Sequence, residues 1–248
     1  MNIIMPLAGI SNFDSNNNYY PLPLREVSGK PLIQYVIENL LKIEGDNKFI
    51  YIVKEEDCLK FHLDNTLRLL TPNCEVVVLK TKTSGAVCSI LMAVDSINKE
   101  DDSIIVNADQ IFNTDINIII KELRNENSDA GIITFDSVHP RWSYVVCDEN
   151  NNVLQAEEKN PISRFAIAGF YYFKSFNDFI DCSFGAIEIE DFHEDKLYTS
   201  SLINQIILLN KKVSNKVIET KDYISFYSTQ KISEFERYIL KNNILPFE

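Results

Sequence analysis

The sequence predicts an α/β fold with a mixed, mainly parallel sheet and helices on both faces. Two patterns predict it. Through the first half, short β-branched runs alternate with amphipathic stretches, the signature of strand–helix–strand units and a parallel sheet. The second half turns to closely spaced strand-like runs, which add a mixed extension to that sheet.

The elements are read in order. Asn2–Leu7 is a buried strand, and an Asn/Ser/Tyr-rich loop follows to Pro21. Pro31–Leu41 has apolar residues at helical spacing, with Pro31 suited to a first turn. Phe49–Val53 is a strand, Glu55–Leu70 one helix, and Glu75–Leu79 a third strand. Ser84–Ile97 is a helix, Ser103–Val106 a fourth strand, and Thr114–Arg124 a helix with Asp115 at its start, where a carboxylate is favoured. Ala130–Phe135, Ser143–Cys147, Val153–Glu157 and Phe165–Phe173 are strands, and Asp148–Asn152 supplies a hairpin turn. Helices near Thr199–Leu209 and Ile232–Leu240 flank a last strand region, Lys216–Tyr227. No repeat or linker divides the chain, so residues 1–248 are read as one domain, 1–125 facing a nucleotide and 126–248 an acceptor. Right-handed crossovers gather the loops Ala8–Pro21, Thr81–Gly85 and Asn107–Asn113 at the C-terminal ends of the strands, where open α/β sheets bind ligands.

Composition excludes several functions. A net charge of −12, from 36 acidic and 24 basic residues, opposes nucleic-acid binding, which depends on Lys and Arg replacing counterions. The five cysteines are odd in number and have no CxxC spacing, against both a zinc site and a disulfide framework. The opening residues have no basic stretch before their short apolar run, and no stretch is long enough to span a membrane. The expected location is the cytoplasm, without membrane insertion.

Several short motifs, in order, carry a resemblance. Met1–Gly9 is followed by Tyr20-Pro21-Leu22-Pro23-Leu24 and by Ser28-Gly29-Lys30-Pro31-Leu32-Ile33. Thr83-Ser84-Gly85-Ala86 opens a helix, and Asn107-Ala108-Asp109-Gln110 ends a strand. Glu157-Glu158-Lys159-Asn160-Pro161 then precedes Ala168–Phe173. This order resembles the sugar-phosphate nucleotidyltransferases, and within them the capsule-biosynthesis nucleotidyltransferase or family 2 glycosyltransferase-like subgroup. The resemblance implies a Rossmann-like fold of the nucleotide-diphospho-sugar transferase type. It also implies an NTP and a phosphorylated sugar or small metabolite as substrates, with a homodimer possible.

The resemblance assigns roles residue by residue. Leu7, Ala8 and Gly9 would meet the base through the backbone, small side chains permitting close approach. Ser84, Gly85, Ala86 and Asn107 would complete nucleotide binding. A helix start can offer N–H groups to a phosphate, or simply pack closely on the sheet. Asp109 would be catalytic and would hold Mg²⁺, a hard ion taking one or two carboxylates plus substrate oxygens; otherwise it is a loop carboxylate capping a helix. Lys159 would contact the acceptor phosphate, with Glu158, Gly169 and Tyr171 on the acceptor. Tyr171-Tyr172-Phe173 also reads as core, as does Trp142 in His139-Pro140-Arg141-Trp142, which resembles an acceptor-side segment.

Three departures stand against this pattern. No Arg or Lys lies between Gly9 and Leu24, where the family has an arginine. Leu22 occupies the position of the family's lysine between two prolines, and Arg25, in an extended segment, would face away from it. Tyr227 occupies the position of the second metal carboxylate, with Asp222 and the run Glu188–Asp191 as other possible donors. Three functions follow: nucleotidyl transfer, a catalytically degenerate binding subunit, or a glycosyltransferase, for which Asn107-Ala108-Asp109 is half of an Asp-x-Asp motif.

Overall fold

The computed structural model describes residues 1–9 and 19–241. The Ile10–Asn18 part of the first loop, where the family's arginine is missing, lies outside the described residues. Strand β1 (Asn2–Pro6) leads through a 3₁₀ turn, Leu22–Leu24, to a two-residue hairpin of β2 (Glu26–Val27) and β3 (Lys30–Pro31). Leu22 and Arg25 are therefore related by a turn and not by extended chain: Arg25 N–H donates to Leu22 O (3.1 Å). Helix α1 (Leu32–Leu40) and strand β4 (Lys48–Lys54) follow.

The single helix expected over Glu55–Leu70 is two, α2 (Glu55–Phe61) and α3 (Leu63–Leu70), broken at His62, whose φ is +54°. That left-handed residue re-aims the chain so that Leu63 and Leu67 reach the core while Leu59 stays in solvent. Strand β5 (Glu75–Leu79) matches its expected bounds. The next helix is shorter than expected: α4 is Ala86–Leu91, followed by a 3₁₀ turn at Val94–Ser96. Strand β6 (Ser103–Val106) precedes β7 (Gln110–Phe112), which sequence reading left as loop. Asp115 caps α5 (Ile116–Asn125), its carboxylate accepting from Asn117 N–H at 2.9 Å.

Strands β8 (Ala130–Asp136), β9 (Tyr144–Cys147), β10 (Val153–Glu157) and β11 (Phe165–Phe173) come next. The β9–β10 turn is held by Asp148, whose carboxylate accepts from Asn150 N–H and Asn152 N–H. A 13-residue helix, α6 (Phe176–Glu188), was not anticipated. Ser175 caps it through Asn177 N–H, and Phe176, Phe179, Cys182 and Ala186 form its buried stripe at helical spacing. The chain ends with α7 (Ser201–Leu208), β12 (Val213–Val217), β13 (Tyr223–Ser225) and α8 (Thr229–Lys241).

A nine-stranded sheet runs β10-β9-β11-β6-β1-β4-β5, with β8 also on β11 and β12 on β8. Strands β6, β1, β4 and β5 are parallel; β11 is antiparallel to β6, β8 and β9. Side chains alternate into two cores. Ile3, Met5, Tyr51, Ile104 and Tyr172 face one core with α1, α5 and α8, and Ile4, Ile50, Ile52, Ile105 and Tyr171 face the other with α4, α6 and α7.

Strand β11 joins the two halves. Its C-terminal part pairs with β6 (Phe170↔Val106), and its N-terminal part with β9 (Phe165↔Val145). Between them Gly169 sits at φ +61°, and a Cβ there would come within 2.4 Å of Asn107 Nδ2 and 2.6 Å of Gln110 Oε1. Gly169→Ala should therefore destabilise the protein by about 2–4 kcal/mol, the left-handed penalty plus displaced hydrogen bonds. A shift of the denaturant midpoint checks this; an unchanged midpoint would remove the glycine requirement.

Burial pushes all five thiols up, Cys147 to about 11 and Cys182 to about 12. A raised thiol favours the folded state while the unfolded thiol is protonated. That stabilisation is complete below the unfolded value, about 8.5, and is lost as pH rises towards 12. Native protein at pH about 8 should react slowly with a thiol reagent, since only thiolate attacks; denaturant should release five fast-reacting thiols.

Candidate active-site edge

The floor of the edge is a buried polar network at the β6–β11 junction. Gly169 O accepts from Asn107 N–H (3.0 Å) and from Gln110 Nε2 (2.9 Å). Tyr223 OH donates to Gln110 Oε1 (3.0 Å), which orients the amide so that its nitrogen faces Gly169. Burial, with the Asp109 charge adding to it, holds the Tyr223 phenol well above its ordinary range, so it remains a proton donor. Gln110 is 1% exposed, and sequence reading missed both it and Tyr223; their only signal was proximity to Asp109 and to Tyr227.

One wall is the β7–β13 pair. Its register sets Gln110 against Ser225 and Phe112 against Tyr223. Just beyond, Phe226 N–H donates to Asp109 O (2.7 Å), so Tyr227 follows one residue past the point opposite Asp109. At the far end Asn113 N–H donates to Asp222 O (2.8 Å). Asp222 is thus four positions along the ladder from Asp109, roughly 13 Å at the usual strand rise, and does not supply a second carboxylate. Asp191, in the other acidic run, lies instead within the field of Glu157.

Burial raises the Asp109 carboxyl, while its own backbone N–H and the Arg141 guanidinium oppose the rise. That guanidinium lies 3.6 Å from the Tyr227 ring centroid and 5.7 Å from that of Trp142. Trp142 packs edge-on against Phe135 (5.4 Å) and Tyr227 (5.6 Å), as expected for a packing residue. Arg141 was not among the candidates.

A second group holds the residues expected to meet an acceptor. Glu158 Oε2 accepts from the hydroxyls of Ser143 and Ser200, the second at 2.6 Å. Tyr171, 7% exposed, lies beneath, its phenol raised by burial and by the Glu158 charge and eased by Ser200. Lys159 adopts φ +52° and its ammonium pairs with Glu194 (2.7 Å), 3.4 Å from Tyr198 OH. Tyr223 lies within the field of Asp109, and Tyr171 within that of Glu158.

The remaining candidates lie along the parallel strands. Leu7 is buried and its N–H is committed to Ile52 O (2.7 Å), just before Ala8 and Gly9. Gly85 sits at φ +100° with the Leu197 carbonyl 2.4 Å from where a Cβ would be. Val87 N–H donates to that carbonyl, and Leu197 N–H donates to Ser84 O (2.9 Å), so close packing accounts for the Ser84-Gly85-Ala86 turn. At the end of β4, Lys54 Nζ donates to Tyr19 OH (2.6 Å) and pairs with Asp57 (3.3 Å), a cation sequence reading did not weigh. Lys30 pairs with Glu38, a structural role. Cavities of about 410 Å³, among Thr114, Ile118 and Lys216, and about 300 Å³, among Asn113, Lys221 and Phe235, include neither Asp109, Arg141, Glu158 nor Lys159. No described helix is long and apolar enough to cross a membrane.

Comparison with known proteins gives this edge its context. The chain is 25% identical over 164 residues to the bifunctional protein GlmU of Methanocaldococcus jannaschii, covering 62% of this chain and 35% of that protein. It is 20% identical over 158 residues to the UTP–glucose-1-phosphate uridylyltransferase AglF of Haloferax volcanii, covering 62% and 63%. The alignments thus span less than two thirds of either relative. The crystal structure of a nucleoside-diphosphate-sugar pyrophosphorylase from Vibrio cholerae superposes with a TM-score of 0.80 over 95% of this chain and 99% of that one, at 21% identity, a likeness of fold. The model of the nucleotidyl transferase family matches residues 18–220. With its sheet order and its motifs in sequence, the chain belongs to the nucleotidyl transferase family.

Proposed function

We propose that the protein transfers a nucleotidyl group from an NTP to a sugar phosphate or small phosphorylated metabolite, releasing pyrophosphate, in capsule or other surface-polysaccharide biosynthesis. The family membership supports the reaction class. The observation that carries it is the Gly169 junction, whose carbonyl takes up Asn107 N–H and the Gln110 amide on either side of Asp109. The Ala8–Gly9 backbone, the Ser84–Ala86 turn and Asn107 would border the nucleotide. Glu158, oriented by Ser143 and Ser200, would accept hydrogen bonds from acceptor hydroxyls, with Gly169 giving room and Tyr171 supporting from below. Lys159 would exchange Glu194 for the acceptor phosphate.

In this reaction an acceptor phosphate oxygen attacks the α-phosphorus in line. The new P–O bond forms as the bond to the bridging oxygen breaks, and that oxygen leaves with its electron pair on pyrophosphate. Positioning and neutralisation of developing charge are what the protein supplies.

Members of the family generally use a divalent metal, and Mg²⁺ on Asp109 is the corresponding expectation here. The side chains around Asp109 do not fit it. An ion there would have Asp109 without the family's second carboxylate, since Tyr227 stands at that position. Tyr227, one residue beyond the Phe226 that bonds the Asp109 backbone, has a guanidinium over its ring, where an added dication would meet like charge. Leu22, half-buried against the core, has no group to offer a phosphate. These substitutions favour a second reading, a relative that binds nucleotide or sugar without turnover.

The test is pyrophosphate release with each NTP and a panel of sugar 1-phosphates, alongside thermal shifts with the same ligands. Transfer predicts turnover with one pair, lost in Asp109→Ala, and a KM for the acceptor raised about tenfold or more in Glu158→Ala, the usual scale for a lost charged hydrogen bond. Stabilisation by nucleotide without turnover supports the binding relative. Stabilisation by a nucleotide sugar but by no NTP supports a glycosyltransferase.

A further inference from the structure

Arg141 is the cation that this edge presents to a ligand. Its guanidinium lies over the Tyr227 ring at 3.6 Å, with the Trp142 ring at 5.7 Å. Among the described residues it makes no ion pair, whereas Lys159 pairs with Glu194 and Lys54 with Asp57. The side chain is exposed, so its N–H groups remain available while the stacked faces limit its freedom. Phe226 N–H on Asp109 O aligns the start of the Tyr227 segment with the Asp109 backbone, and the guanidinium above the Tyr227 ring lies within the field of the Asp109 carboxylate.

We propose that Arg141, stacked on Tyr227, takes the place of the divalent ion beside Asp109 and binds the diphosphate of the ligand directly, without metal. The inference rests on the nucleotide-site reading above and deepens it by naming the group that meets the phosphates.

The two residues fit each other chemically. A carboxylate at position 227 would be a ligand for a metal; a tyrosine there is instead a face for a guanidinium, which is more weakly hydrated than an ammonium and stacks readily. The planar fork then presents parallel N–H donors to phosphate oxygens, the bidentate geometry that makes Arg–phosphate contacts strong. Asp109 carries the nearby opposite charge, at longer range than an ion pair. The substitution at Tyr227 and the position of Arg141 are thus one change: a chelating pair of carboxylates becomes a carboxylate, a ring and a built-in cation. Arg141 contributes about one positive charge where an ion would contribute two, so the site is better matched to holding a diphosphate than to accelerating its cleavage by a large factor.

The chain has one tryptophan, Trp142, which contacts Tyr227 and adjoins Arg141, so its fluorescence reports on this spot. Inorganic pyrophosphate is titrated into the full chain in excess EDTA and again in Mg²⁺, with affinity read from Trp142 emission and from calorimetry. The expected result is an affinity within about threefold in the two conditions, weakened tenfold or more in Arg141→Gln, the scale of a charged hydrogen-bond pair. Because Arg141 is exposed, that variant should keep the wild-type melting temperature. Paramagnetic resonance with Mn²⁺ should find no ion held by the wild-type protein and one held by the double variant Arg141→Gln/Tyr227→Asp, in which the carboxylate pair is restored. The inference is overturned if wild-type protein holds Mn²⁺ and loses it in Asp109→Asn, or if pyrophosphate binding requires Mg²⁺ and ignores Arg141→Gln. Either result leaves nucleotidyl transfer standing. Absence of pyrophosphate binding in both conditions also overturns the inference, while the turnover assay with NTPs decides the transfer reading on its own.

Discussion

The carbonyl of Gly169 receives two donors, the Asn107 backbone N–H and the Gln110 side-chain amide. The rest of the site depends on that arrangement. Strand β11 must leave β6 and take up β9 within a few residues, and a pleated strand cannot do both without an irregularity. The left-handed backbone at residue 169 provides it, and the two donors satisfy the carbonyl that the break would otherwise orphan. Asn107 and Gln110 flank Asp109 in sequence, so the same contacts that close the break also fix where Asp109 stands. Tyr223, by holding Gln110 in one orientation, ties the β7–β13 ladder to the junction.

Charge in the two groups is managed differently. Around Glu158 it is neutralised locally: Glu158 is satisfied by two hydroxyls, and Lys159 is turned towards Glu194 from a backbone conformation that favours glycine. Non-glycine residues in that region cost about 1–2 kcal/mol, so the turn of Lys159 is imposed by its surroundings. Beside the β7–β13 pair the charge is displayed: Arg141 lies on aromatic faces with no carboxylate bonded to it among the described residues. A site of this kind can hold an anion at little reorganisation cost, since stacking has already restricted the side chain.

Much of the fold was legible in the sequence. Glu75–Leu79, Ser103–Val106, Val153–Glu157 and Phe165–Phe173 have the bounds expected of them, because buried β-branched and aromatic runs have few alternatives. Helix α6 was missed although Phe176, Phe179, Cys182 and Ala186 carry a helical stripe; the Asn, Asp and Ser residues between them mimic a surface loop. The break at His62 depends on which face Leu63 must bury, a tertiary demand invisible in local propensity. Of the residues proposed for the site, the sequence marks Asp109 at the end of an apolar strand and Glu158 within its motif, and gives Arg141 no mark of its own. A lone arginine in an exposed turn has no periodic signature, and its meaning comes from Tyr227, 86 positions away in the chain and brought to it by the β13 ladder. Gly85 had two open readings, and the Leu197 backbone against it accounts for the glycine by packing.

The central claim is that a nucleotide-derived ligand lies across the Gly169 junction, its phosphates by Arg141 and Asp109 and its sugar by Glu158. A crystal structure of the chain with a nucleotide sugar, grown in the presence of EDTA, tests this most directly. The account predicts electron density for the ligand bridging the two groups, with phosphate oxygens on the Arg141 guanidinium. A ligand seated instead in the cavity among Thr114, Ile118 and Lys216, or phosphates placed away from Arg141, would contradict it.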